Sequence, residues 1–388
     1  MGKGPLAGLK VLEFAGVGPG PLCAMLLADM GAEVITLDRL EPSGLGIPRP
    51  SKSDVLRRGR RSLAIDLKHP DGVACVLDLI AQADALIEGF RPGVMERIGL
   101  GPETCAARNP RLVYGRVTGW GQDGPLAHTA GHDLNYLALT GILAAIGRSG
   151  GPPAIPLNLL GDYAGGGLTL AFGMVCALLE TGRSGRGQVV DAAMTEGALA
   201  LFGPFFGLAA AGLYRAERGS NLLDSGAPHY EVYACADGEW VSIAPIEAKF
   251  RSILLEKLGF DPAAFPDPAD PANWQRAREL LTTRFAERSR AEWCELLEGS
   301  DGCFAPVLNF HEAPTHPQHV ARQAFVEIGG TAQPAPAPRF SRTPPAVPSP
   351  PEGPGHSTRE ILVDWGFTTE RIEGLVRDDV IRAGARGR

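Results

Sequence analysis

The sequence has no pair of cysteines at the C-x-x-C spacing that zinc sites and redox motifs use. Its seven cysteines are scattered singly over 388 residues. An odd number of unclustered cysteines excludes a disulfide framework and a zinc ribbon, and it is typical of a reducing compartment. We therefore expect no metal site and a cytoplasmic location.

Long apolar runs and an excess of positive charge are also missing. The apolar stretches at 168–179 and 198–214 are too short for a membrane span or contain glycine and proline, so buried helices explain them better. The first residues lack the pattern of a signal peptide, and the last five, GARGR, lack a targeting tripeptide. Since the net charge is −7, we expect neither nucleic acid nor a membrane as a partner.

The charge is nevertheless distributed unevenly along the chain. Residues 1–116 hold 15 basic and 13 acidic side chains, whereas the remainder has a net charge of −9. A polyanionic small ligand is therefore expected on the N-terminal part.

The N-terminal part alternates short apolar strands with amphipathic helices. This βαβα order predicts an α/β fold with a parallel sheet covered by helices. The predicted strands are 9–14, 33–37, 62–67, 85–87 and 112–117, and the helices between them include 22–30 and 73–81. Longer helices are predicted at 134–146, 163–179 and 194–214.

The pattern changes near residue 221. A hairpin with an Asp237-Gly238 turn is predicted over 230–244, followed by a Pro/Asp-rich loop and two helices. We predict a large α/β domain over 1–221 and a smaller α+β domain over 222–330. Residues 331–388 are predicted to form a proline-rich connector and C-terminal helices, from 357–366 and 369–383, that return to the large domain.

A glycine-rich turn, Gly16-Val17-Gly18-Pro19-Gly20, follows the first strand and comes close to a dinucleotide fingerprint. Its third glycine position is occupied by Pro21, which has no N–H to offer a phosphate. A tight strand-to-helix turn is therefore favoured over NAD binding.

Two other motifs are weaker still. The segment 147–151 matches G-x-S-x-G, but Pro152-Pro153 blocks the helix that a nucleophile elbow needs. Three histidines at 311, 316 and 319 have no acids at ligand spacing, so they are interpreted as loop residues.

Four arginines at 57, 58, 60 and 61 precede the third predicted strand, and they have two open interpretations. Such a cluster is usually a solvated face, but here it could neutralise phosphates. Arg39 and Arg91 also follow strands, where ligands of open α/β sheets bind. Together these cations favour a phosphate-rich ligand.

The most informative residues lie at two predicted helix starts. His132 and Asp133 occupy the first turn of one apolar helix, and Asp162 begins another with Asn158 one turn before it. A histidine at a helix start tends to remain neutral and can act as a base, and the N–H groups there can receive an oxyanion. The alternative is that both aspartates simply cap their helices.

These segments resemble the α-methylacyl-CoA racemases of the class III CoA-transferase superfamily. The similarity is strongest in GHDLNYLALTG (131–141) together with NLLGDYAGGG (158–167), and it also covers GLKVLEFAGVGPGPLCAMLLADMGAEVITLDR (8–39) and GAPHYEVYACADGEW (226–240). Transferases of the superfamily use the aspartate at position 162 as a nucleophile and generally lack the GHD histidine. The presence of both residues points to a racemase.

The resemblance implies a role for each matching residue. His132 and Asp162 would be the two catalytic acid/bases, with Asn158 orienting Asp162, Glu247 pairing with His132 and the Asp133 N–H group facing the enolate oxygen. The matching substrate- and CoA-binding positions are Arg39, Ile65, Asp66, Leu67, Lys68, Arg91, Gly131, Leu134, Asn135 and Tyr136.

The resemblance also implies an assembly and a chemistry. The family forms an interlocked homodimer whose active site lies between the large domain of one chain and the small domain of the other. Its members interconvert (R)- and (S)-2-methylacyl-CoA thioesters by 1,1-proton transfer, and CoA is part of the substrate rather than a cofactor. The alternative function is a CoA-transferase with Asp162 as the nucleophile.

Two departures from the family pattern concern the small domain. His229 stands where an aromatic residue is usual, and the segment 245–249 reads Pro-Ile-Glu-Ala-Lys instead of Gly-Ala-Ile-Glu-Pro. They leave the acyl group open among 2-methyl-branched fatty acyl, sterol side-chain and arylpropanoyl thioesters.

Overall fold

A six-stranded parallel sheet forms the centre of the computed structural model, which describes residues 3–41 and 44–382. Its strand order is β3-β2-β1-β4-β5-β6, so the order reverses between β1 and β4. The strands are β1 (Lys10–Phe14), β2 (Glu33–Asp38), β3 (Arg60–Ala64), β4 (Ala85–Glu88), β5 (Val113–Thr118) and β6 (Val189–Ala193). In such sheets ligands bind beyond the carboxyl ends of the strands at the reversal.

Helices cover both faces of the sheet. Those along the chain as far as the sixth strand are α1 (Pro19–Asp29), α2 (Pro70–Ile80), α3 (Val94–Arg97), α4 (Pro102–Arg108), α5 (Asp133–Ala138), α6 (Ile142–Ala145) and α7 (Thr169–Ser184). A π-helical segment, Leu159–Leu168, leads directly into α7. Helix α8 (Met194–Ala210) follows β6.

The rest of the chain holds smaller elements. They are β7 (Glu231–Ala234), β8 (Trp240–Ile243), α9 (Ala248–Lys257), α10 (Trp274–Phe285), α11 (Arg290–Leu297), β9 (Phe304–Pro306), α12 (Pro317–Ala321), β10 (Phe325–Ile328), β11 (Thr331–Pro334), α13 (Thr358–Asp364) and α14 (Thr369–Arg377). The predicted end of the last helix, Ala383, and the GARGR terminus lie outside the described residues.

The chain divides into two compact units. The first comprises residues 1–140, 157–201 and 323–388, and the second comprises 141–156 and 202–322. The first unit therefore holds the parallel sheet. Residues 141–156, predicted in the large domain, belong to the second unit, and the later boundaries fall at 201/202 and 322/323 where the sequence suggested 221/222 and 330/331.

Alternation along the strands explains why the sheet of the first unit is buried on both faces. Leu12 packs into one hydrophobic core together with Ile35 and Leu86, and its neighbour Val11 packs into the other. Successive residues of a strand point to opposite faces, so a strand that is apolar throughout needs a cover on each side. The predicted parallel α/β fold is confirmed.

The second unit is built on a three-stranded antiparallel sheet in the order β7-β8-β9. Its core contains Tyr233, Phe285 and Trp293, and the Trp293 indole N–H donates to the Phe285 carbonyl oxygen at 2.9 Å. The predicted hairpin of Asp237-Gly238 is present as β7 and β8.

Two local predictions were wrong and one hairpin was missed. The predicted helix 134–146 is interrupted after Ala138, where α5 ends, and α6 starts anew after Gly141, its N-cap residue with a φ of 84°. The predicted helix 163–179 begins earlier, in the π-helical segment. The hairpin of β10 and β11 was missed, although Gly329 and Gly330, with φ of 60° and 79°, supply the two left-handed positions that such a turn needs.

Candidate active site

The segments that follow strands β1, β2 and β4 bring the predicted ligand-binding residues to one edge of the sheet. Gly18 follows β1, Arg39 follows β2 and Arg91 follows β4. Because these strands are parallel, all three positions lie at the carboxyl edge, where β1 and β4 form the topological switch point.

His132 is held at the start of α5 by its neighbours. It is the N-cap residue, its backbone N–H donates to Asn135 Oδ1 at 3.1 Å, and its side chain is exposed. The Tyr136 hydroxyl donates to the Gly131 carbonyl oxygen, and the Tyr136 ring meets Trp120 edge-on with centroids 4.8 Å apart. The backbone that precedes His132 is thus fixed while its imidazole stays accessible.

Asp162 lies in the first turn of the π-helical segment Leu159–Leu168. The glycines that follow it let this segment pack closely: a Cβ on Gly165 would lie 2.7 Å from the Met194 carbonyl oxygen, and one on Gly166 would lie 2.7 Å from Pro19 Cβ. Ten residues of π-helix are uncommon, since this geometry usually occurs as a single turn, frequently at functional sites.

The Asp162 carboxylate is half-buried and has one amide partner. Asn158 Nδ2 donates to its Oδ2 at 3.2 Å, so the structure brings together the two residues that the sequence placed one turn apart. The pKa of Asp162 is raised, and burial is the largest cause. The Asp133 carboxylate also raises this pKa, whereas the Asn158 hydrogen bond and the nearby His132 lower it. This shift brings the carboxyl closer to the range where it can exchange protons.

The Asp133 carboxylate does not cap its own helix. Its Oδ1 accepts from the Gly161 N–H at 2.8 Å and from the Asp162 N–H at 2.7 Å. The N-cap positions of the two helices belong to His132 and Asn158. The interpretation of Asp133 and Asp162 as caps of their own helices is therefore wrong.

The glycine-rich turn before α1 contacts Asp162. Gly18 has a φ of 73°, and a Cβ built on it would lie 3.2 Å from Asp162 Oδ2. Gly18 is therefore required both by its left-handed backbone and by the carboxylate beside it. This proximity places the turn at the candidate site.

We expect Gly18→Ala to lower kcat of a reaction that uses the Asp162 carboxylate by roughly tenfold to a hundredfold, because the added Cβ would displace that carboxylate. The matched control is Gly8→Ala, which has the same left-handed strain at a φ of 95° but no atom within 4 Å of the added Cβ. Steady-state rates and thermal unfolding of both variants separate the effect of backbone strain from the effect of displacing the Asp162 carboxylate. Equal kcat values in the two variants would contradict a role for Gly18 at Asp162.

The arginine cluster is not free to bind phosphate. Each of its four arginines is engaged by carboxylates of the first unit: Arg57 by Asp38, Arg58 by Asp29, Arg60 by Glu13, and Arg61 by Glu33 and Asp364. The phosphate hypothesis for these residues is therefore wrong. The local charge pattern could not show this, because the partner carboxylates lie on other elements, α1, β1, β2 and α13.

Three other cations at the carboxyl edge remain available. Arg39, Lys68 and Arg91 are exposed, and none forms an ion pair with a carboxylate of the described residues. The Arg39 guanidinium lies 6.0 Å from the centroid of the Phe90 ring. The positive charge predicted for a polyanionic ligand is thus carried by isolated residues after strands.

The remaining predicted binding residues divide into buried and exposed positions. Ile65 is buried and pairs with Ile381, Leu67 packs against the core, and Asp66 Oδ1 accepts from the Lys68 N–H at 2.9 Å. Leu134 is exposed beside His132. Their contacts with a ligand stay predictions.

Comparison with known proteins identifies the family of the chain. The family model described as CoA-transferase family III matches residues 6–357. The chain belongs to CoA-transferase family III. The resemblance seen in the sequence is thereby confirmed at the level of the family.

Two relatives narrow the place of the chain within CoA-transferase family III. The chain is 45% identical over 381 residues to alpha-methylacyl-CoA racemase of Mus musculus and 43% identical over 383 residues to that of Homo sapiens. Each alignment covers 97% of this chain and 98% of the relative. A solved structure of a CAIB/BAIF family protein from Brucella suis is similar with a TM-score of 0.79 and 25% identity, covering 94% of this chain and 100% of that chain.

Glu247 lies in the second compact unit, at the N-cap position of α9, with an exposed side chain. Its backbone carbonyl accepts from the N–H groups of Phe250 and Arg251. The pairing of Glu247 with His132 that the family implies stays a prediction.

The two departures from the family pattern share one cavity within the second unit. His229 and Pro245 are buried and line it together with Ile243, Leu254 and Phe265. Burial, helped by the charge of Arg251, lowers the pKa of His229 to about 4, so its imidazole is neutral near pH 7. His229 and Pro245 therefore lie in the interior of this unit, whereas residues 246–249 of the second departure are exposed.

Sequence reasoning missed three contacts that build the site. Gly18 lies beside Asp162, Trp120 supports the Tyr136 ring, and the Asp133 side chain accepts from Gly161 and Asp162. The sequence held one local sign of the Asp133 contact, namely the glycine before Asp162. A Cβ at Gly161 would lie 2.6 Å from Asp133 Oδ1.

Proposed function

We propose that the protein interconverts (R)- and (S)-2-methylacyl-CoA thioesters by 1,1-proton transfer, with His132 and Asp162 as the two acid/bases. Racemase relatives at 43–45% identity over nearly the whole chain support an acyl-CoA racemase, which is an isomerase. The observation that carries the assignment of the bases is the hydrogen-bonded junction of the two helix starts, through Asp133 to the Asp162 N–H.

The chemistry requires two different groups at one carbon. The proton on the carbon next to a thioester carbonyl is far less acidic than a side-chain acid, so a base must remove it while the carbonyl oxygen takes the negative charge. A conjugate acid on the opposite face then delivers a proton and inverts the centre. Protonated His132 with ionised Asp162 is one resting form, and turnover leaves neutral His132 with protonated Asp162.

The start of α5 offers donors for the enolate oxygen. Among the described residues, the N–H groups of Asp133 and Leu134 make no hydrogen bond to another group. The first N–H groups of a helix lack partners within it and attract negative charge. A donor of this kind contributes about 3–4 kcal/mol to the transition state of an enolate-forming step. Proton transfer of this type needs no cofactor, since CoA is part of the substrate.

The isolated cations at the carboxyl edge suit the phosphates of CoA. Arg39, Lys68 and Arg91 are exposed, follow three different strands of one sheet edge, and have no carboxylate partner among the described residues. We assign them to the phosphate-bearing part of the substrate, while the acyl part lies toward His132 and Asp162.

We expect Arg39→Ala to raise KM for an acyl-CoA about tenfold with little change in kcat, since one charge-assisted contact to a phosphate contributes about 1.5 kcal/mol. Added salt should narrow the difference from the wild type, because exposed ion pairs are screened. Arg111→Ala is the matched control: it removes an exposed arginine that precedes β5, at the opposite edge of the sheet. An unchanged KM in Arg39→Ala would remove this residue from the site.

The second candidate function is CoA transfer, and the family name gives the reason to test it. A transferase would form an anhydride and then a CoA thioester on Asp162 and would need a carboxylic acid as acceptor. The test mixes the protein with a 2-methylacyl-CoA and a set of free carboxylic acids. We expect no CoA on the acids and no mass adduct on the protein. CoA transfer at a rate matching racemisation would favour the alternative.

We also propose the homodimer that the family implies, on the basis of an apolar stripe along α7 and the segment before it. Leu168, Phe172, Val175 and Leu179 are exposed and follow one another at intervals of four, three and four residues. This is the spacing of a helix seam that packs against another helix. The helix Leu159–Ser184 is long and apolar enough to cross a membrane. Its buried side, however, packs on α1 and β5, and the helix carries Asp162. A second copy of the chain therefore explains the exposed stripe better than a membrane does.

Phe172→Glu is expected to convert the dimer to a monomer and to abolish activity, because a charge in an apolar seam is left unpaired and the active site is predicted to need both chains. Light scattering after size exclusion measures the mass. Val363→Glu is the control, since it places the same charge at an exposed valine of α13. A Phe172→Glu protein that keeps both twice the chain mass and full activity would contradict the assignment.

A further inference from the structure

The Asp133 carboxylate is a buried acid that the proposed chemistry does not use. The residue is only 5% exposed, and its Oδ1 bridges the N–H groups of Gly161 and Asp162 at 2.8 and 2.7 Å. Its Oδ2 is buried and has no hydrogen-bond partner among the described residues. A buried carboxylate with an unsatisfied oxygen is costly, so its retention calls for a reason.

The N–H groups that it bridges cannot be satisfied within their own segment. In a π-helix each N–H donates to the carbonyl five residues before it, so the first N–H groups of Leu159–Leu168 have no partner inside the helix. Gly161 and Asp162 are the third and fourth residues of that segment. An acceptor from elsewhere in the fold therefore determines where the backbone of Asp162 lies.

The acceptor comes from the residue bonded to His132. Asp133 is the first residue of α5, so its backbone is one peptide bond away from the first proposed base and its carboxylate holds the backbone of the second. No other side chain of the described residues hydrogen-bonds both Gly161 and Asp162 backbones.

We propose that Asp133 is a positioning residue that fixes Asp162 relative to His132 across the reacting carbon and supplies the negative charge facing Asp162. The inference rests on the proposed racemase function. It assigns the Asp133 side chain a role separate from that of its N–H group, which faces the enolate oxygen.

The charge of Asp133 acts on Asp162 together with few others. Among the described residues, the groups that interact electrostatically with Asp162 are Asp133, His132 and the Tyr136 hydroxyl, all on α5 or at its start. Asn158 supplies the one side-chain hydrogen bond found there. The backbone of Gly18, the residue before α1, also lies beside the carboxylate. Since Asp133 opposes ionisation of Asp162, removing its charge should make Asp162 ionise at lower pH.

Two substitutions separate position from charge. Asp133→Asn keeps an oxygen that can accept from both N–H groups and removes the charge, whereas Asp133→Ala removes both. The measurement is deuterium uptake at the α-carbon of each enantiomer of a 2-methylacyl-CoA in D2O, as a function of pH. The enantiomer assigned to Asp162 is the one whose exchange is lost in Asp162→Asn.

We expect Asp133→Ala to lose about a hundredfold in the exchange assigned to Asp162, with KM nearly unchanged and a much smaller loss for the other enantiomer. Asp133→Asn should recover most of that rate, and the acid limb of its pH profile should move to lower pH. Asp71→Ala, which removes an exposed aspartate from the first turn of α2, is the control for a general loss of a helix-start carboxylate.

Equal losses for both enantiomers in Asp133→Ala, or an Asp133→Asn protein as slow as Asp133→Ala, would overturn the inference. If Asp133→Ala does not fold, Asp133→Asn decides alone: a shifted acid limb supports the inference and an unshifted one refutes it. The proposed function fails separately, if the wild type itself takes up no deuterium.

Discussion

His132→Ala and Asp162→Asn should each abolish racemisation and yet retain deuterium exchange with opposite enantiomers. Every full turnover needs a base on one face of the α-carbon and an acid on the other, so neither residue alone inverts the centre. The remaining base can still remove the proton on its own side and return a solvent deuteron with retained configuration. We expect this residual exchange to be slower than in the wild type by roughly 10²–10⁴, the contribution of a positioned acid–base group.

Single-enantiomer substrates in D2O, with chiral separation and mass measurement of the thioester, show both effects at once. His128→Ala is a suitable control, because it removes an exposed histidine four residues before His132 in the same segment. A transferase predicts a different asymmetry, in which Asp162→Asn is inactive and His132→Ala keeps nearly full activity. Interconversion at near wild-type rate in both variants would show that neither residue is the base.

Arg58→Met should lower the free energy of unfolding by about 3–5 kcal/mol without changing KM for an acyl-CoA. Arg58 and Asp29 form a two-point ion pair whose side chains are only 3% and 2% exposed, and the same guanidinium donates to Gln333 Oε1 and the Pro334 carbonyl oxygen. Removing it leaves a buried carboxylate unpaired. Chemical denaturation measures the loss, and substrate kinetics show that the site is untouched.

The controls for Arg58→Met come from the same part of the chain. Arg49→Ala breaks a pair with Asp54 whose arginine is 42% exposed, and it should cost less than about 1 kcal/mol. Adding Asp29→Leu to Arg58→Met should restore most of the stability, because the stranded charge is then gone. A raised KM with unchanged stability in Arg58→Met would instead support the hypothesis that the arginine cluster binds the phosphates of the substrate.

The pattern of apolar residues predicted the sheet, because a strand that is buried on both faces is apolar along its whole length. Val11 and Leu12 enter opposite cores, so a continuous apolar run is what a covered parallel strand requires. The close placement of Asn158 and Asp162 was likewise visible, since four residues make about one turn.

The parts that sequence reasoning could not supply depend on partners far along the chain. Arg58 pairs with a residue 29 positions away, and Asp133 reaches across 28 and 29 positions to Gly161 and Asp162. Charge spacing and helix periodicity do not report such contacts. The break between α5 and α6 was missed for a different reason: apolar residues on both sides of it continue the helical pattern, while the left-handed Gly141 separates the two helices.

The central claim is tested most directly by incubating the wild-type protein with one enantiomer of a 2-methylacyl-CoA in D2O, without any free carboxylic acid. Optical rotation and α-deuterium are followed together. We expect the rotation to change until the two C-2 epimers have equilibrated, while deuterium enters the α-carbon with no acceptor needed. Deuterium uptake that occurs only after a carboxylic acid is added, or not at all, would contradict it.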